Sequence, residues 1–102
     1  MKEVPSISIV TCSFNSDLTV FRNMLDSIAM QNYPKRRIEH LVMDGGSTNG
    51  TVALAKQYGC IVDSQKSLEH KAQMRAGLGI QRATHPILLI LECDNILTSK
   101  DW

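Results

Sequence analysis

A chain of 102 residues is long enough for one domain with one core, and its 43% hydrophobic and 21% charged residues are those of a globular rather than a disordered or membrane chain. Eleven Lys and Arg against ten Asp and Glu leave a formal net charge of +1, too small a field to gather nucleic acid or an anionic membrane, so any anionic ligand has to be held locally. The longest aliphatic run, Ile87 to Leu91, is far short of the roughly 20 residues of a membrane span, and Met1 to Ser6 has no signal-peptide core, so a cytoplasmic chain is expected.

Ser6 to Cys12 (SISIVTC) is a β-branched run between Pro5 and the polar Ser13, Asn15 and Ser16, the pattern of a buried strand that ends in a loop. Leu18, Phe21, Leu25, Ile28 and Ala29 then recur at three- and four-residue spacing behind Ser16 or Asp17, which predicts a capped amphipathic helix ending near Gln31. Ile38 to Met43 is strand-like again and is closed by Asp44-Gly45-Gly46-Ser47. Thr48 or Asn49 is the expected cap of a helix from about Thr51 to Tyr58, which Gly59 stops. A short strand, Cys60 to Val62, leads into a polar loop over Asp63 to Ser67. A helix from about Leu68 to Ala83 follows, weakened by Gly77 and Gly79 and stopped at His85-Pro86. Ile87 to Leu91 is a fourth strand, running out into Glu92-Cys93-Asp94-Asn95.

Strands alternating with helices predict parallel pairing through right-handed crossovers, and strands this apolar predict helices on both faces. The expected fold class is α/β, a Rossmann-like doubly wound sheet over a single domain of residues 1–102, with strands ordered third, second, first, fourth. Ligands of such sheets bind beyond the carboxyl ends of the strands, where the strand order reverses. Chemistry is therefore expected at Cys12 to Asn15, Asp44 to Ser47 and Glu92 to Asn95, with Cys12, Asp44 and Asp94 converging.

Glu92 and Asp94 stand at i and i+2 in extended chain, on one side and with backbones roughly 6.6 Å apart. Like charges at that spacing repel by about 2.5 kcal/mol at an effective dielectric of 20, so the pair invites a cation such as Mg²⁺ or Mn²⁺. The same spacing also fits a turn capped by Asp94 and Asn95 with Glu92 solvated. In Asp44-Gly45-Gly46-Ser47-Thr48 the glycines admit close backbone approach and the carboxylate could accept bonds from a nucleoside; an ordinary turn and helix cap is the plainer alternative. No G-x-G-x-x-G follows the first strand and no G-K-[ST] occurs anywhere, so the dinucleotide and P-loop readings lose their main support.

Taken in order, Ile7 to Asn15 (ISIVTCSFN), Gln31-Asn32-Tyr33-Pro34, Leu41 to Thr51 (LVMDGGSTNGT) and Leu91 to Leu97 (LECDNIL) resemble the successive motifs of family-2 glycosyltransferases over nearly the whole chain. The resemblance implies the nucleotide-binding half of a GT-A fold, with the acceptor half absent. It also implies inverting transfer from a nucleotide-diphosphate sugar, a UDP-sugar foremost, to an unspecified acceptor, with Mn²⁺ or Mg²⁺ as cofactor. By matching position, Cys12, Phe14, Asn15, Asp44 and Gly45 line the nucleoside pocket, Asp94 holds the metal, and Glu92 lies near the ribose or the metal. Gly45 stands where the family has a second aspartate, which leaves Asp44 as the only carboxylate there, and Glu92 is one methylene longer than the aspartate it replaces. The family's alanine-arginine-asparagine segment aligns with Met74 to Gly77, so Lys71 or Arg75 is the cation expected to face the diphosphate. Two basic residues at i and i+4 also fit a solvated helix face.

No general base is assigned, because the resemblance places that carboxylate in the absent half. A degenerate, non-catalytic α/β domain and a nucleotidyltransferase-like enzyme are the alternatives. The latter wants a basic, glycine-rich loop after the first strand, and Thr11 to Asp17 contains no Lys, Arg or Gly. No nucleic-acid partner is expected, and the free edge of the fourth strand predicts self-association. Cys12, Cys60 and Cys93 have neither zinc-site nor disulfide-framework spacing and read as inert thiols. His40, His70 and His85 read as solvated or incidental, and Met24, Met30, Met43 and Met74 as core filler.

Overall fold

The computed structural model describes residues 5–66 and 71–92. In chain order they form β1 (Ile7–Ser13), α1 (Leu18–Ala29), a 3-10 turn (Lys35–Arg37), β2 (Ile38–Asp44), α2 (Thr51–Gln57), β3 (Ile61–Ser64), α3 (Ala72–Arg82) and β4 (Ile87–Ile90). The strands make one parallel sheet ordered β3-β2-β1-β4. This is an α/β, Rossmann-like fold with the expected order: the crossovers through α1 and α2 each lead to the adjacent strand, and the one through α3 carries the chain from β3 at one edge back past β2 and β1 to β4 at the other.

β1 is central because both its faces can be buried. Ile7 and Ile9 point to one side and Val10 to the other, all within the core. On the first side α1 lays Phe21, Met24, Leu25 and Ile28 against Ile7, Ile9, Val42 and the Leu54 and Ala55 of α2. On the second side Leu78 and Ala83, from α3 and its C-terminal end, pack on Val10, Leu41 and Met43. Asp17 starts α1 by accepting from the backbone N–H groups of Thr19 (2.9 Å) and Val20 (3.1 Å), which satisfies two of the four donors a helix start leaves unpaired.

Several expectations are corrected. Met24 and Met43 are core residues, whereas Met30 is 62% and Met74 55% exposed: Met30 follows the last turn of α1, two residues past the buried Ile28, and so points away from the buried face. The N-cap of α2 is Gly50 rather than Thr48 or Asn49, with the Asn49 side chain accepting instead from the Thr51 N–H at 3.2 Å and the Thr51 hydroxyl at 2.6 Å. β3 begins at Ile61 and runs to Ser64, because its pairing with Leu41 to Asp44 of β2 carries it into the polar segment. Helix α3 begins at Ala72; residues 68–70, which the sequence assigns to the start of this helix, lie outside the described residues.

Gly79 is where α3 meets the sheet. A Cβ there would stand 2.6 Å from Val10 Cγ1 and 2.9 Å from Met43 Cγ, so the glycine that weakens the helix in isolation lets it lie close against β1 and β2. Along β4, Ile87, Leu88 and Ile90 are exposed. Among the described residues no helix is long and apolar enough to cross a membrane.

Candidate functional site

The carboxyl ends of β1 and β2 lie side by side, with Cys12 opposite Met43 and Ser13 opposite Asp44. Asp44 is fully buried and its carboxylate is completely engaged. One oxygen accepts from the hydroxyls of Ser13 (2.7 Å) and Ser47 (2.6 Å), the other from the backbone N–H groups of Gly46 (2.9 Å) and Ser47 (2.7 Å). Burial pushes its pKa up, but the bonds from Ser47, Ser13 and Gly46 outweigh it and hold the carboxyl below the usual range. These four bonds match the about four acceptor positions of a carboxylate. Asp44 is the anionic centre around which the Gly45 to Ser47 loop is folded.

That loop is stitched to the one after β1. Asn15 adopts φ 45°, a left-handed conformation that asparagine tolerates better than most residues. There its N–H donates to Ser47 Oγ (2.8 Å) and its side-chain oxygen accepts from the Thr48 N–H (2.7 Å). Asn49 Nδ2 donates to the Ser16 carbonyl at 2.8 Å, and Gly45 N–H to the Ser13 carbonyl at 2.8 Å. Asn15 therefore lies at the edge as expected, but as a splint between loops. Cys12 and Phe14 are half-buried beside it, and Gly45 is buried.

Arg75 is 3% exposed. From the first turn of α3 its Nε–H donates to the Met43 carbonyl (3.3 Å) and an Nη2–H to the Ser13 carbonyl (3.4 Å). Arg75, one of the two cations expected to face a diphosphate, is turned inward onto the ends of β1 and β2. Lys71, one turn earlier at the N-cap of α3, is exposed. Glu92 is exposed just beyond β4, next to β1. Asp94 and Cys93 lie outside the described residues, so the expected convergence is seen for Cys12 and Asp44 only.

Among the described residues no three of His, Cys, Asp or Glu come together as a preformed metal site. The carboxylate of Glu92, exposed just beyond β4, is a hard oxygen donor of the kind that suits Mg²⁺ or Mn²⁺.

Two polar clusters that sequence reasoning missed lie away from this edge. His40 is buried and neutral, with Nε2 2.9 Å from the Thr11 hydroxyl and Nδ1 3.4 Å from Cys60 Sγ. Burial lowers its pKa to about 4 and raises the Cys60 thiol to about 12. His40 is thus a core residue rather than a solvated one, and it lines a pocket of about 390 Å³ with Leu25, Ile38 and Tyr58. Toward the amino ends of the strands, Glu39 accepts from Ser8 Oγ (2.8 Å) and from Thr84 N–H and hydroxyl (3.1 and 2.9 Å), tying the turn before β4 to β1 and β2. The placing of β2 in the interior of the sheet could have signalled His40, which shares one face with Val42 and Asp44 while Leu41 and Met43 fill the other.

A family model described as Glycosyl transferase family 2 matches residues 8–102. Glycosyltransferase AglE of Haloferax volcanii is 28% identical over 95 residues, 89% of this chain and 31% of that protein, so the chain spans about a third of that relative's length. The mannosyltransferase PcManGT from Pyrobaculum calidifontis, solved in complex with GDP-Man and Mn²⁺, matches with a TM-score of 0.80 at 21% identity, covering 94% of this chain and 29% of that one. S. aureus TarS 1-349, solved in complex with UDP, matches with a TM-score of 0.81 at 20% identity, again over 94% of this chain and 29% of that one.

Proposed function

The chain belongs to glycosyl transferase family 2, and on that premise we propose that it is the donor-binding part of an enzyme that takes a sugar from a nucleotide-diphosphate sugar with the help of a divalent cation. The observation that carries this reading is the position of the built loops. Cys12 to Asn15 and Gly45 to Ser47 are stitched together where β1 and β2 end, beside the place where strand order reverses between β1 and β4. Matching structures solved with GDP-Man and Mn²⁺ or with UDP support the ligand class.

In this proposal the base packs by Phe14 and meets backbone groups of the two loops, because the Asp44 oxygens are already taken. Lys71 supplies the exposed cation for the diphosphate, and Glu92 with Asp94 holds Mn²⁺ or Mg²⁺. The metal, when bound, neutralises charge on the departing diphosphate. Transfer proceeds with inversion, the general base and the acceptor pocket coming from residues outside those assigned here. UDP is favoured over GDP as the carrier.

Calorimetric titration of Mn²⁺ and UDP, each alone and together, tests the assignment. A metal that shares phosphate oxygens binds the apo chain weakly and the nucleotide complex tightly, and by linkage Mn²⁺ tightens UDP by the same factor. Asp94→Asn should abolish this coupling and Glu92→Gln should reduce it. Coupling that survives intact in Asp94→Asn removes the metal assignment, and a chain that binds neither UDP nor GDP removes the donor reading.

A further inference from the structure

Arg75 holds a position that donor binding does not by itself explain. It is one of the few charged residues in the core, at 3% exposure, and burying a guanidinium is costly unless its donors are satisfied. Its two described acceptors belong to different strands: the Met43 carbonyl in β2 and the Ser13 carbonyl at the end of β1. Ser13 O also accepts the Gly45 N–H at 2.8 Å. The guanidinium and the first residue of the Gly45 to Ser47 loop thus share one acceptor atom.

We propose that Arg75 is a positioning residue for the donor loops, fixing the ends of β1 and β2 through the Ser13 and Met43 carbonyls, and not a ligand of the diphosphate. Three features make it suited to this. The planar guanidinium presents several N–H donors in a fixed fork, so one side chain spans two strands, which a lysine ammonium on its flexible stem does poorly. Gly79, one turn further along α3, lets the helix lie within contact of Val10 and Met43, which brings Arg75 within reach of the strand ends. Ser13 links the two halves of the site, its hydroxyl donating to Asp44 while its carbonyl takes Gly45 and Arg75. A shift of the Ser13 carbonyl would move Asp44, and with it the backbone groups of Gly46 and Ser47 that Asp44 orders.

The inference rests on the nucleotide reading, so its test has one arm that needs no ligand. Amide hydrogen exchange of the wild-type chain and of Arg75→Met should show faster exchange at Gly45, with the core amides of Val10 and Val42 little changed; Arg75→Lys, which keeps the charge and loses the fork, should fall between. In the second arm, uridine, UMP and UDP are titrated below the melting temperature. Arg75→Met should weaken all three by a similar factor, on the order of tenfold, as displaced loops would. Unchanged Gly45 exchange in a folded Arg75→Met overturns the proposal. So does a loss confined to UDP with uridine unaffected, which would make Arg75 a direct phosphate ligand, or a lowered melting temperature with all affinities retained. If the wild type binds no nucleotide, the donor reading fails, and Gly45 exchange alone decides the role of Arg75.

Discussion

Single buried polar groups are expected to make this sheet sensitive to acid, and His40 is the clearest case. Its pKa falls from the ordinary 6.5 to about 4 because the ring is buried. Above pH 6.5 it is neutral in both folded and unfolded chain and nothing is lost. Between 6.5 and about 4 the unfolded chain takes up a proton that the native ring refuses, so stability falls as pH falls. The loss reaches about 2 kcal/mol by pH 5. Asp44 and Glu39, both held below their ordinary values, act in a lower window: their contribution is present above the unfolded carboxylate pKa and is lost as pH drops through the folded one. Urea melts at pH 7 and pH 5 separate the two. His40→Gln should show a clearly smaller drop between these pH values than wild type, and an equal drop would assign the sensitivity to other groups.

At the scale of the elements, α3 shows how far sequence reasoning reaches. Gly77 and Gly79 look alike in the sequence, each a helix-weakening residue near the middle of α3. The structure separates them: a Cβ at Gly77 would meet nothing within 4 Å, while one at Gly79 would press on Val10 and Met43. Gly77→Ala should therefore stabilise the chain by up to about 1 kcal/mol. Gly79→Ala gains the same propensity but overpacks the sheet, at a cost of about 1 to 3 kcal/mol, and should be neutral or destabilising. Urea midpoints of the two variants check this, and equal stabilisation by both would mean that α3 does not sit as described. The seven strands and helices of the described residues are legible from apolar periodicity and turn residues, because those features act locally. The parallel pairing follows from the alternation. The direction of a long polar side chain is set by tertiary neighbours instead. For that reason Arg75, a surface cation by its spacing, proves buried, and Asp44, a base contact by its motif, proves to be the centre of its own loop.

For the molecule as a whole, the polar residues divide between the two ends of one sheet. Toward the amino ends, Glu39, Ser8, Thr84 and the His85 N–H bond to one another and close the structure. At the carboxyl ends, Asp44, Ser13, Asn15 and Ser47 tie two loops together, with Lys71 exposed at the start of α3 and Glu92 exposed just beyond β4. The first end is a closed seam. In the proposed function, nucleotide and metal meet at the second end. Amide spectra of the labelled chain with saturating UDP and substoichiometric Mn²⁺, set against Mn²⁺ alone, test it most directly, since the metal broadens only nearby signals. UDP-dependent broadening is expected at Cys12 to Asn15, Gly45 to Ser47 and Glu92, with Glu39, His40 and Thr84 unaffected. Broadening centred on the His40 pocket or on the Glu39 end, or none that depends on UDP, would contradict it.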